Sequence, residues 1–352
     1  MKVLFITRKY PPQIGGMERY SYDLINSVSC EKKVIALKYS QIHLFWFIPY
    51  ALIKGIFLSR QVDLIYLCDS LLAPVGLVLK LISKKPVLAT AHGLDIIYNN
   101  WVYKNINIKS LKYLDKIIAV SKSTRENCLA CYVKPEKCLF IPNGINIVNL
   151  EKQYNKKDLS KFLKFNINNQ KILLSIGRLT KRKGVAWFIE NIMPQLDINI
   201  IYLIAGVGSE EKNIKEMIIK SGTMNRVIVL GKISESNKNM LFQTADIFIM
   251  PNITEKNDQE GFGLSPLEAS LAGLPVIASK IEGLTDSIID NQNGYLVESR
   301  NTNQFIEKIN DILNSKDKNS IGEKFSNYTK ENFDWKKIIL RYEEEFNNVL
   351  KK

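Results

Sequence analysis

Two carboxylates, Glu260 and Glu268, stand eight positions apart and enclose two glycines and a Ser-Pro pair. Ser265 can cap a helix, Pro266 suits a first turn and Glu268 completes a capping box, so a helix is expected to begin here. Because the glycines leave backbone amides uncovered at its amino end, the segment can attract a phosphate. A carboxylate on each side can accept hydrogen bonds from sugar hydroxyls. The segment therefore predicts a sugar-nucleotide site; in the alternative interpretation, Glu268 only caps and Glu260 only faces solvent.

A second group of charged residues follows the predicted strand Lys171–Ile176. The glycine-bounded loop Gly177–Gly184 contains four cationic side chains, among them Arg178 and Lys183. Arginine gives planar, bidentate contacts to phosphate, and lysine supplies a point charge. The loop therefore predicts a phosphate-binding site, and the alternative is a basic turn in solvent.

A glycine-rich loop near the amino terminus is a third candidate. Gly15 and Gly16 stand between the predicted strand Val3–Thr7 and a helix that extends to about Val28, the order of elements found in phosphate-binding sites. The loop lacks the G-x-G-x-x-G pattern of dinucleotide sites and the G-K-[ST] of P-loops. A tight turn is therefore an equal alternative.

His92 is a candidate because of its expected place in a sheet. It follows the predicted strand Pro86–Ala91 and precedes a glycine. Ligand clefts in open α/β sheets form at the carboxyl ends of parallel strands, so a histidine there can hydrogen-bond to a ligand. Packing within the loop is the alternative.

The composition is typical of a soluble globular protein with two domains. The chain has 352 residues, of which 46% are hydrophobic and 24% charged, and its formal net charge is +14. This length exceeds what one hydrophobic core usually holds. The positive charge fits an anionic membrane surface or phosphorylated substrates. No block of Lys and Arg resembles a nucleic-acid arm, so no nucleic acid partner is expected, and the amino terminus enters a strand directly, so no signal peptide is expected.

The five cysteines are expected to be free thiols in a reducing cytoplasm, because their number is odd and no secretory signal is present. Cys128 and Cys131 form a C-x-x-C that would place both thiols on one face of a helix. No second pair and no nearby histidine completes a zinc set. Both are expected to be small buried hydrophobic residues, with a metal or redox role as the alternative.

Strands alternate with helices twice along the chain, which predicts an α/β fold with parallel sheets. The polar run Asn146–Gln170 is expected to link two domains and to contain one short helix. Ser123 and Glu126 predict a further capping box, and Phe305–Leu313 and Ile338–Leu350 predict terminal helices. The predicted strands are Val3–Thr7, Asp63–Leu67, Pro86–Ala91, Lys116–Val120, Leu139–Ile141, Lys171–Ile176, Ile198–Ala205, Val227–Leu230, Ile247–Met250 and Pro275–Ala278.

Leu44–Leu58 is apolar apart from Pro49, Lys54 and Gly55. It is shorter than a membrane-spanning helix requires, so a buried helix is expected. The alternative is a segment at a membrane interface, because it is aromatic and flanked by Lys54 and Arg60. Together with the net charge, this alternative predicts loose attachment to the inner face of a membrane.

In their order along the chain, these motifs resemble those of the retaining glycosyltransferases of family 4, also called group 1, which have the GT-B fold. The resemblance extends over nearly the whole chain, and the E-x7-E segment with its internal Gly-Phe-Gly is its most specific part. The motifs are Pro11-Pro12 with Gly15–Tyr20, His92–Asp95, Ala119–Ser121, Ile141–Ile145, Gly177–Leu179 with Lys183-Gly184, Ala205–Gly208, Glu260–Gly263 with Glu268-Ala269, and Asn293–Val297.

The resemblance implies two Rossmann-like α/β/α domains whose parallel sheets face each other across a central cleft. Residues 1–150 would form the acceptor-binding domain, and residues 151–332 would form the nucleotide-sugar-binding domain. Residues 333–352 would form a helix that crosses back to the first domain.

The resemblance also implies roles for individual residues. Arg178 and Lys183 would bind the donor diphosphate, Glu260 the hydroxyls of the donor sugar, and Glu268 the ribose. The catalytic candidates are His92, Glu260, Arg178 and Lys183. The acceptor-side candidates are His92, Asp95 and Ser121. The donor-binding candidates are Gly15, Gly16, Arg178, Lys183, Glu260, Gly261, Phe262, Gly263, Leu264 and Glu268.

The implied reaction moves a hexose from a nucleotide sugar to a glycan or lipid-linked acceptor with retention of configuration, in the synthesis of bacterial cell-surface polysaccharide or lipopolysaccharide. UDP is the default donor base. No D-x-D pair occurs in the sequence, so no metal and no other cofactor is expected, and fixed cations would stabilise the departing diphosphate. The chain departs from the family at Asp286, where a glutamate is usual and the shorter side chain weakens the expected donor contact.

The expected location is the cytoplasm, with peripheral attachment to the inner face of the plasma membrane as an addition. The alternative function is a non-catalytic, basic protein that binds membranes and uses the same scaffold. The presence of Glu260, Glu268, Arg178 and Lys183 favours the enzyme, because a non-catalytic relative does not need them.

Overall fold

The structure, a computed structural model, describes residues 1–147, 153–167 and 169–351, without the Val102 side chain. The chain divides into two compact units. Unit 1 comprises Met1–Asn146, Asn257–Phe262 and Phe333–Lys352, and unit 2 comprises Ile147–Lys256 and Gly263–Asn332. The domain limits expected at 150 and 332 lie close to these junctions. Residues 257–262, however, pack with unit 1 although they lie inside the range expected for the second domain.

Unit 1 is built on a six-stranded sheet with the order β2-β1-β3-β4-β5-β6, in which all neighbouring strands are parallel. Its strands are β1 Lys2–Thr7, β2 Glu31–Ala36, β3 Leu64–Leu67, β4 Val87–Ala91, β5 Lys116–Ala119 and β6 Cys138–Phe140. Its helices are α1 Gly16–Ser27, α2 Leu44–Ser59, α3 Ala73–Ser83, α4 Leu94–Ile97, α5 Trp101–Tyr103, α6 Lys109–Leu111, α7 Lys122–Ala130 and, at the end of the chain, α16 Trp335–Leu350. Short 3-10 turns lie at Gln41–His43, Ser70–Leu72 and Pro135–Lys137, and a π-helical turn lies at Lys104–Ile108.

The sheet of unit 1 is buried because helices cover both of its faces. Every residue of β3 and β4 is buried, and these strands are mainly apolar, as parallel strands between two helical layers usually are. Helices α2 and α3 pack on one face, through residues such as Phe47 and Leu79. Helices α1 and α16 pack on the other face, through residues such as Leu24 and Trp335.

A buried group of hydroxyls joins the last helix to this sheet. The Tyr20 hydroxyl lies 2.6 Å from the Thr90 hydroxyl and 3.1 Å from that of Tyr342, and the Tyr66 hydroxyl lies 2.5 Å from that of Thr90. Burial raises the pKa of Tyr20 and Tyr66 well above the usual tyrosine value, so both remain neutral donors. Because Tyr342 belongs to α16, these hydrogen bonds connect α16 with α1, β3 and β4.

Unit 2 contains a second six-stranded parallel sheet with the order β12-β11-β10-β7-β8-β9. Its strands are β7 Lys171–Ile176, β8 Ile200–Ala205, β9 Val227–Gly231, β10 Ile247–Met250, β11 Val276–Ser279 and β12 Tyr295–Val297. Its helices are α8 Lys156–Leu163, α9 Val185–Asn191, α10 Glu211–Lys220, α11 Glu235–Thr244, α12 Leu264–Leu271, α13 Leu284–Ser287, α14 Thr302–Asn314 and α15 Lys318–Phe333. Short 3-10 turns lie at Lys181–Lys183 and Met193–Gln195.

The expected α/β fold with two parallel sheets is confirmed, and each predicted strand is present close to its expected limits. The structure adds two strands that the pattern does not predict. The edge strand β2 begins with three exposed or half-exposed charged residues, and β12 has only three residues. The expected short helix in the linker is α8, whose amino end is capped by Asn155 and Asp158; positions 148–152 and 168 of that linker lie outside the described residues.

The expectation that Leu44–Leu58 forms a buried helix is wrong. Helix α2 forms there, but its buried residues recur only every fourth position. Leu44, Leu52, Ile56 and Leu58 are partly buried beside this stripe, and the opposite side of the helix faces outward. Among the described residues, Gln41–Ser59 is the one helical segment long and apolar enough, by length and composition, to cross a membrane, and 22% of it is buried. The buried residues of α2 are Phe47, Ala51, Gly55 and Ser59.

The turn between the cationic loop and α9 depends on a glycine. Gly184 has a φ of 66°, and a Cβ there would overlap the Pro251 carbonyl oxygen. Gly184→Ala is expected to lower the free energy of unfolding by at least about 3 kcal/mol, because the overlap adds to a positive-φ cost of about 1 kcal/mol. Gly222→Ala is the matched control, with a φ of 68° and no atom within 4 Å of its Cβ. The Gly222→Ala variant should lose only about 1 kcal/mol of unfolding free energy. Equal losses for the two variants, measured by urea denaturation, would contradict the steric argument.

Candidate active site

The loops that follow β7, β8 and β10 meet at the carboxyl edge of the unit 2 sheet. A Cβ on Gly206 would overlap the Gly177 carbonyl, so the loops after β7 and β8 are in direct backbone contact. The Ile253 amide donates to the Arg182 carbonyl at 2.8 Å, which joins the loop after β10 to the same place. This edge is where open parallel sheets bind ligands.

Two of the expected phosphate-binding cations lie at this edge. A Cβ on Gly177 would be 4.0 Å from Lys183 Nζ, so this ammonium group lies beside the backbone at the end of β7. The Arg178 side chain is exposed and has no ion pair within the described parts of the chain. Lys181 differs, because its Nζ lies 3.1 Å from the Glu255 carboxylate. Arg178 can therefore serve a phosphate, and Lys183 lies close enough to the same backbone to add its charge.

The expected capping box at Ser265 and Glu268 is wrong. Helix α12 begins at Leu264, and its amino-terminal cap is Gly263, with no side-chain capping hydrogen bond. Gly263 has a φ of 93°, and a Cβ there would lie only 2.6 Å from a Leu284 methyl group. Since this conformation favours glycine, the helix begins earlier than the local Ser-Pro pattern predicts, and Ser265 lies inside its first turn.

Glu268 is held by an ion pair instead. Its carboxylate lies 3.0 Å from Lys238 Nζ, and the same ammonium group lies 2.9 Å from Glu235. Burial lowers the pKa of Lys238, but the charges of Glu268 and Glu235 outweigh it and raise this pKa above the usual lysine value. Lys238 thus remains charged and fixes the Glu268 carboxylate on the side of α12.

The segment that contains Glu260 is packed against the turn after β4. A Cβ on Gly261 would overlap the His92 carbonyl oxygen. The Asn127 amide donates to Gln259 at 2.5 Å. Glu260 itself is largely buried, with 8% exposure. Within unit 1, the structure therefore brings together Glu260 and His92, which the sequence places far apart.

The orientation of His92 follows from its hydrogen bonds. Its Nε2 lies 2.9 Å from the Cys68 carbonyl oxygen, which can only accept, so Nε2 carries a proton and Nδ1 is left as the acceptor in the neutral ring. The Tyr20 ring packs edge-on against the imidazole, with 4.8 Å between the two ring centroids. Asp95 accepts from the His92 amide at 2.8 Å and from the Ser70 hydroxyl at 2.7 Å. Asp95 is thus a positioning residue for this turn.

A buried ion pair lies beside this turn and was not among the expected site residues. Arg8 Nε lies 2.6 Å from the fully buried carboxylate of Asp69, which also accepts from the Leu71 amide at 2.8 Å. Burial raises the pKa of Asp69, and the Arg8 guanidinium opposes that rise. Arg8 follows β1 and Asp69 follows β3, so their place after buried strands is the sequence signal that points to them.

The glycine-rich loop contains an acidic group of its own. Gly15 caps α1, and a Cβ there would overlap the Glu18 carboxylate. Glu18 is buried and pairs with Lys9 at 2.9 Å. Its negative charge therefore lies at the amino end of α1, where an anion would be stabilised. Gly15 and Gly16 as donor contacts stay predictions.

Ser121 has a structural role. It is fully buried, and its Oγ accepts from the Thr124 amide at 3.1 Å as the cap of α7. The expected capping box at Ser123 and Glu126 is therefore wrong, since the helix begins two residues earlier. The assignment of Ser121 to the acceptor side stays a prediction, and its contacts give that assignment no support.

The five cysteines are free thiols, and Cys128 is part of the core of unit 1 with Cys131 packed against it. A hydrogen bond with Cys138, together with burial, raises the pKa of Cys128 far above the usual thiol value. Cys128 is thus an unreactive, buried thiol. Within the described residues, no group of three or more His, Cys, Asp or Glu side chains could hold a metal ion.

Comparison with known proteins decides the family. Residues 2–148 match the family described as Glycosyltransferase Family 4, and residues 157–332 match that described as Glycosyl transferases group 1. The chain belongs to the group 1, family 4 glycosyltransferases. This glycosyltransferase is 26% identical to an uncharacterised glycosyltransferase of Methanocaldococcus jannaschii, MJ1607, over 89% of each chain.

Other relatives of this glycosyltransferase have named activities or solved structures. It is 26% identical to the UDP-Gal:alpha-D-GlcNAc-diphosphoundecaprenol alpha-1,3-galactosyltransferase of Escherichia coli, over 61% of this chain and 55% of that protein. The crystal structure of Anabaena HepE in complex with UDP matches with a TM-score of 0.79 at 19% identity, over 99% of this chain and 100% of that chain. Sucrose-phosphate synthase from Thermosynechococcus elongatus matches with a TM-score of 0.81 at 20% identity, over 99% of each chain. These likenesses confirm the expected GT-B fold.

The contact between Gly261 and the His92 carbonyl predicts the effect of one methyl group. Gly261→Ala is expected to detach residues 257–262, because a backbone carbonyl cannot move aside, at a cost of roughly 2 kcal/mol. Amide hydrogen exchange in that segment should accelerate about 30-fold, as this free energy implies. Gly231→Ala, in unit 2 with no atom within 4 Å of its Cβ, is the control. Unchanged exchange in the Gly261 variant would refute the contact.

The Lys238 pair predicts a modest role for Glu268 in stability. Glu268→Ala should cost about 1 kcal/mol of unfolding free energy, since the partly exposed pair is lost but no helix cap is removed. Glu235→Ala removes the more exposed partner of Lys238 and should cost less than about 0.5 kcal/mol. Urea denaturation measures both losses. A Glu268→Ala loss above about 2 kcal/mol would restore the capping interpretation.

Proposed function

We propose that this glycosyltransferase moves a hexose from a UDP-sugar to a glycan or lipid-linked acceptor, with retention of configuration and without a metal or other cofactor. The observation that supports the proposal most directly is the pair of cations at the carboxyl edge of the unit 2 sheet. Arg178 is exposed there, and the Lys183 ammonium lies beside the Gly177 backbone. Fixed cations are what a departing diphosphate requires where no metal bridges it.

The leaving group determines the chemistry at this edge. Cleavage of the bond between the sugar and the diphosphate leaves negative charge on the diphosphate and positive charge on the anomeric carbon. Arg178 can contact two phosphate oxygens in one plane, and Lys183 adds a point charge. In a site that excludes water, such preorganised charges lower the barrier more than they would in solution.

The carboxylates and the histidine have separate roles in this proposal. Glu268, held by Lys238, accepts hydrogen bonds from the ribose, and Glu260 accepts them from the donor sugar. Since Nε2 of His92 contacts the Cys68 carbonyl, Nδ1 is the ring nitrogen that can accept a hydrogen bond from a hydroxyl of the sugar or the acceptor. No carboxylate is assigned as a nucleophile. The departing phosphate takes the proton of the acceptor hydroxyl on the same face of the sugar.

The relatives support the substrate class, and cell-surface glycan synthesis is the proposed process. The names of two relatives mention capsular polysaccharide synthesis in Staphylococcus aureus and O-antigen synthesis in Escherichia coli. HepE has been crystallised with UDP-glucose. One relative in Mycobacterium tuberculosis is GDP-mannose-dependent, so UDP is proposed on the weight of the other relatives rather than on a base contact.

The two cations give the proposal a direct test. Lys183→Ala should weaken the binding of UDP by about 10- to 100-fold, because a charge-assisted phosphate contact contributes about 1.5–3 kcal/mol. Isothermal titration with UDP, without metal, measures the affinity. Lys181→Ala is the matched control from the same turn, since Lys181 is paired with Glu255, and it should bind UDP within about twofold of the wild type.

Turnover tests the remaining parts of the proposal. Hydrolysis of UDP-sugars from a panel should continue in EDTA, and NMR of the released or transferred sugar should show the donor's anomeric configuration first. Absence of UDP binding and of hydrolysis with every nucleotide sugar would support the non-catalytic alternative. Loss of turnover in EDTA that Mg²⁺ restores would overturn metal independence, and inverted product would overturn retention.

A further inference from the structure

Helix α2 of unit 1 has a broad exposed apolar face. Ile42, just before the helix, is 83% exposed, and Phe45 and Trp46 are 76% and 72% exposed. Scattered exposed hydrophobic residues are common, but a contiguous group of large ones marks a binding surface. The apolar surface of α2 is defined by Ile42, Phe45, Trp46, Ile48, Tyr50, Ile53 and Phe57.

The spacing of these residues places most of them together. Positions 42, 46, 50, 53 and 57 recur every three or four residues, which aligns them along one side of a helix. The opposite side is the buried stripe that packs on the core of unit 1. The neighbouring helix α3, which packs beside α2, exposes Leu81 and Ile82 as well.

The chain segment that contains the apolar surface of α2 has only positive charges. Residues 32–62 contain no Asp or Glu and five Lys or Arg. Lys54 Nζ hydrogen-bonds to the Tyr50 hydroxyl at 2.8 Å, so its charge lies at the margin of the apolar residues. Aromatic residues bordered by Lys and Arg are typical of helices that lie in the interface of anionic membranes.

We propose that the apolar surface of α2 docks on a lipid bilayer that contains anionic headgroups. The aromatic side chains enter the boundary between headgroups and acyl chains, and the Lys and Arg residues contact lipid phosphates. A second copy of the chain is a poorer partner, because a two-fold interface would place this positively charged segment against an identical one. A membrane-spanning helix is excluded by packing, since the stripe from Phe47 to Ser59 is part of the protein core.

The docked surface is directly linked to the candidate acceptor side of unit 1. Gln41, at the start of this segment, accepts from Arg8 at 3.0 Å and donates to the Arg8 carbonyl at 2.7 Å. Arg8 pairs in turn with Asp69, beside the turn that holds His92. If the proposed function holds, on which this step alone rests, the acceptor is lipid-linked and reaches His92 from the same bilayer.

Flotation of the full-length protein with vesicles tests the docking independently of catalysis. The wild type should float with vesicles of phosphatidylcholine and phosphatidylglycerol and at least about tenfold less with phosphatidylcholine alone, because several Lys and Arg residues each add to the attraction. Phe45→Ser with Trp46→Ser should reduce the affinity for anionic vesicles at least about tenfold, because two large apolar side chains no longer leave water. Both positions are exposed, so thermal unfolding should be unchanged.

Leu340→Ser is the matched control, because Leu340 is 61% exposed on α16, which packs on the other face of the sheet. It should bind vesicles like the wild type. The docking would be overturned if the wild type failed to float or if the Phe45/Trp46 variant floated equally well. It would also be overturned if the wild type sedimented as a dimer and this variant as a monomer. UDP-sugar hydrolysis in solution should not differ between this variant and the wild type, which separates failure of the docking from failure of the proposed function.

Discussion

The candidate site of unit 1 depends on the close contact between the Gly261 backbone and the His92 carbonyl oxygen. A side chain at position 261 would overlap that oxygen. Only a residue without a side chain allows the backbone of 257–262 to lie on the turn after β4. The contact places Glu260 and His92 in one unit. Two hydrogen bonds fix the direction of these segments: the His92 amide donates to Asp95, and the Asn127 amide donates to Gln259.

Charge at the two sheet edges is compensated in a selective way. In unit 1, Asp69 pairs with Arg8 and Glu18 with Lys9, and in unit 2 Glu268 pairs with Lys238, so none of these carboxylates lacks a counter-ion. Lys181 is paired in the same manner, whereas Arg178 has no ion pair within the described residues. The ion pairs therefore neutralise these carboxylates within their own units, and Arg178 keeps its positive charge at the end of β7 in unit 2.

The sequence predicts the alternation of strands and helices well, because buried parallel strands are short apolar runs between polar turns. It fails where a distant contact decides. Ser265 and Glu268 imitate a capping box, but the positive φ of Gly263 starts α12 earlier. The composition of α2 is apolar on nearly every side, so no periodic pattern could show which side would be exposed. Residues 257–262 give no local sign that they pack with unit 1.

The division of the chain also limits how this enzyme can be recombined with its relatives. The backbone passes from one unit to the other after positions 146, 256, 262 and 332. A chimaera that exchanged 151–332 as one block would also replace residues 257–262, which pack with unit 1. An exchange of unit 2 should therefore use two blocks, 147–256 and 263–332, with the native hexapeptide left between them. Unit 2 is thus formed by two separate stretches of the chain, and one crossover point on each side cannot exchange it without residues 257–262.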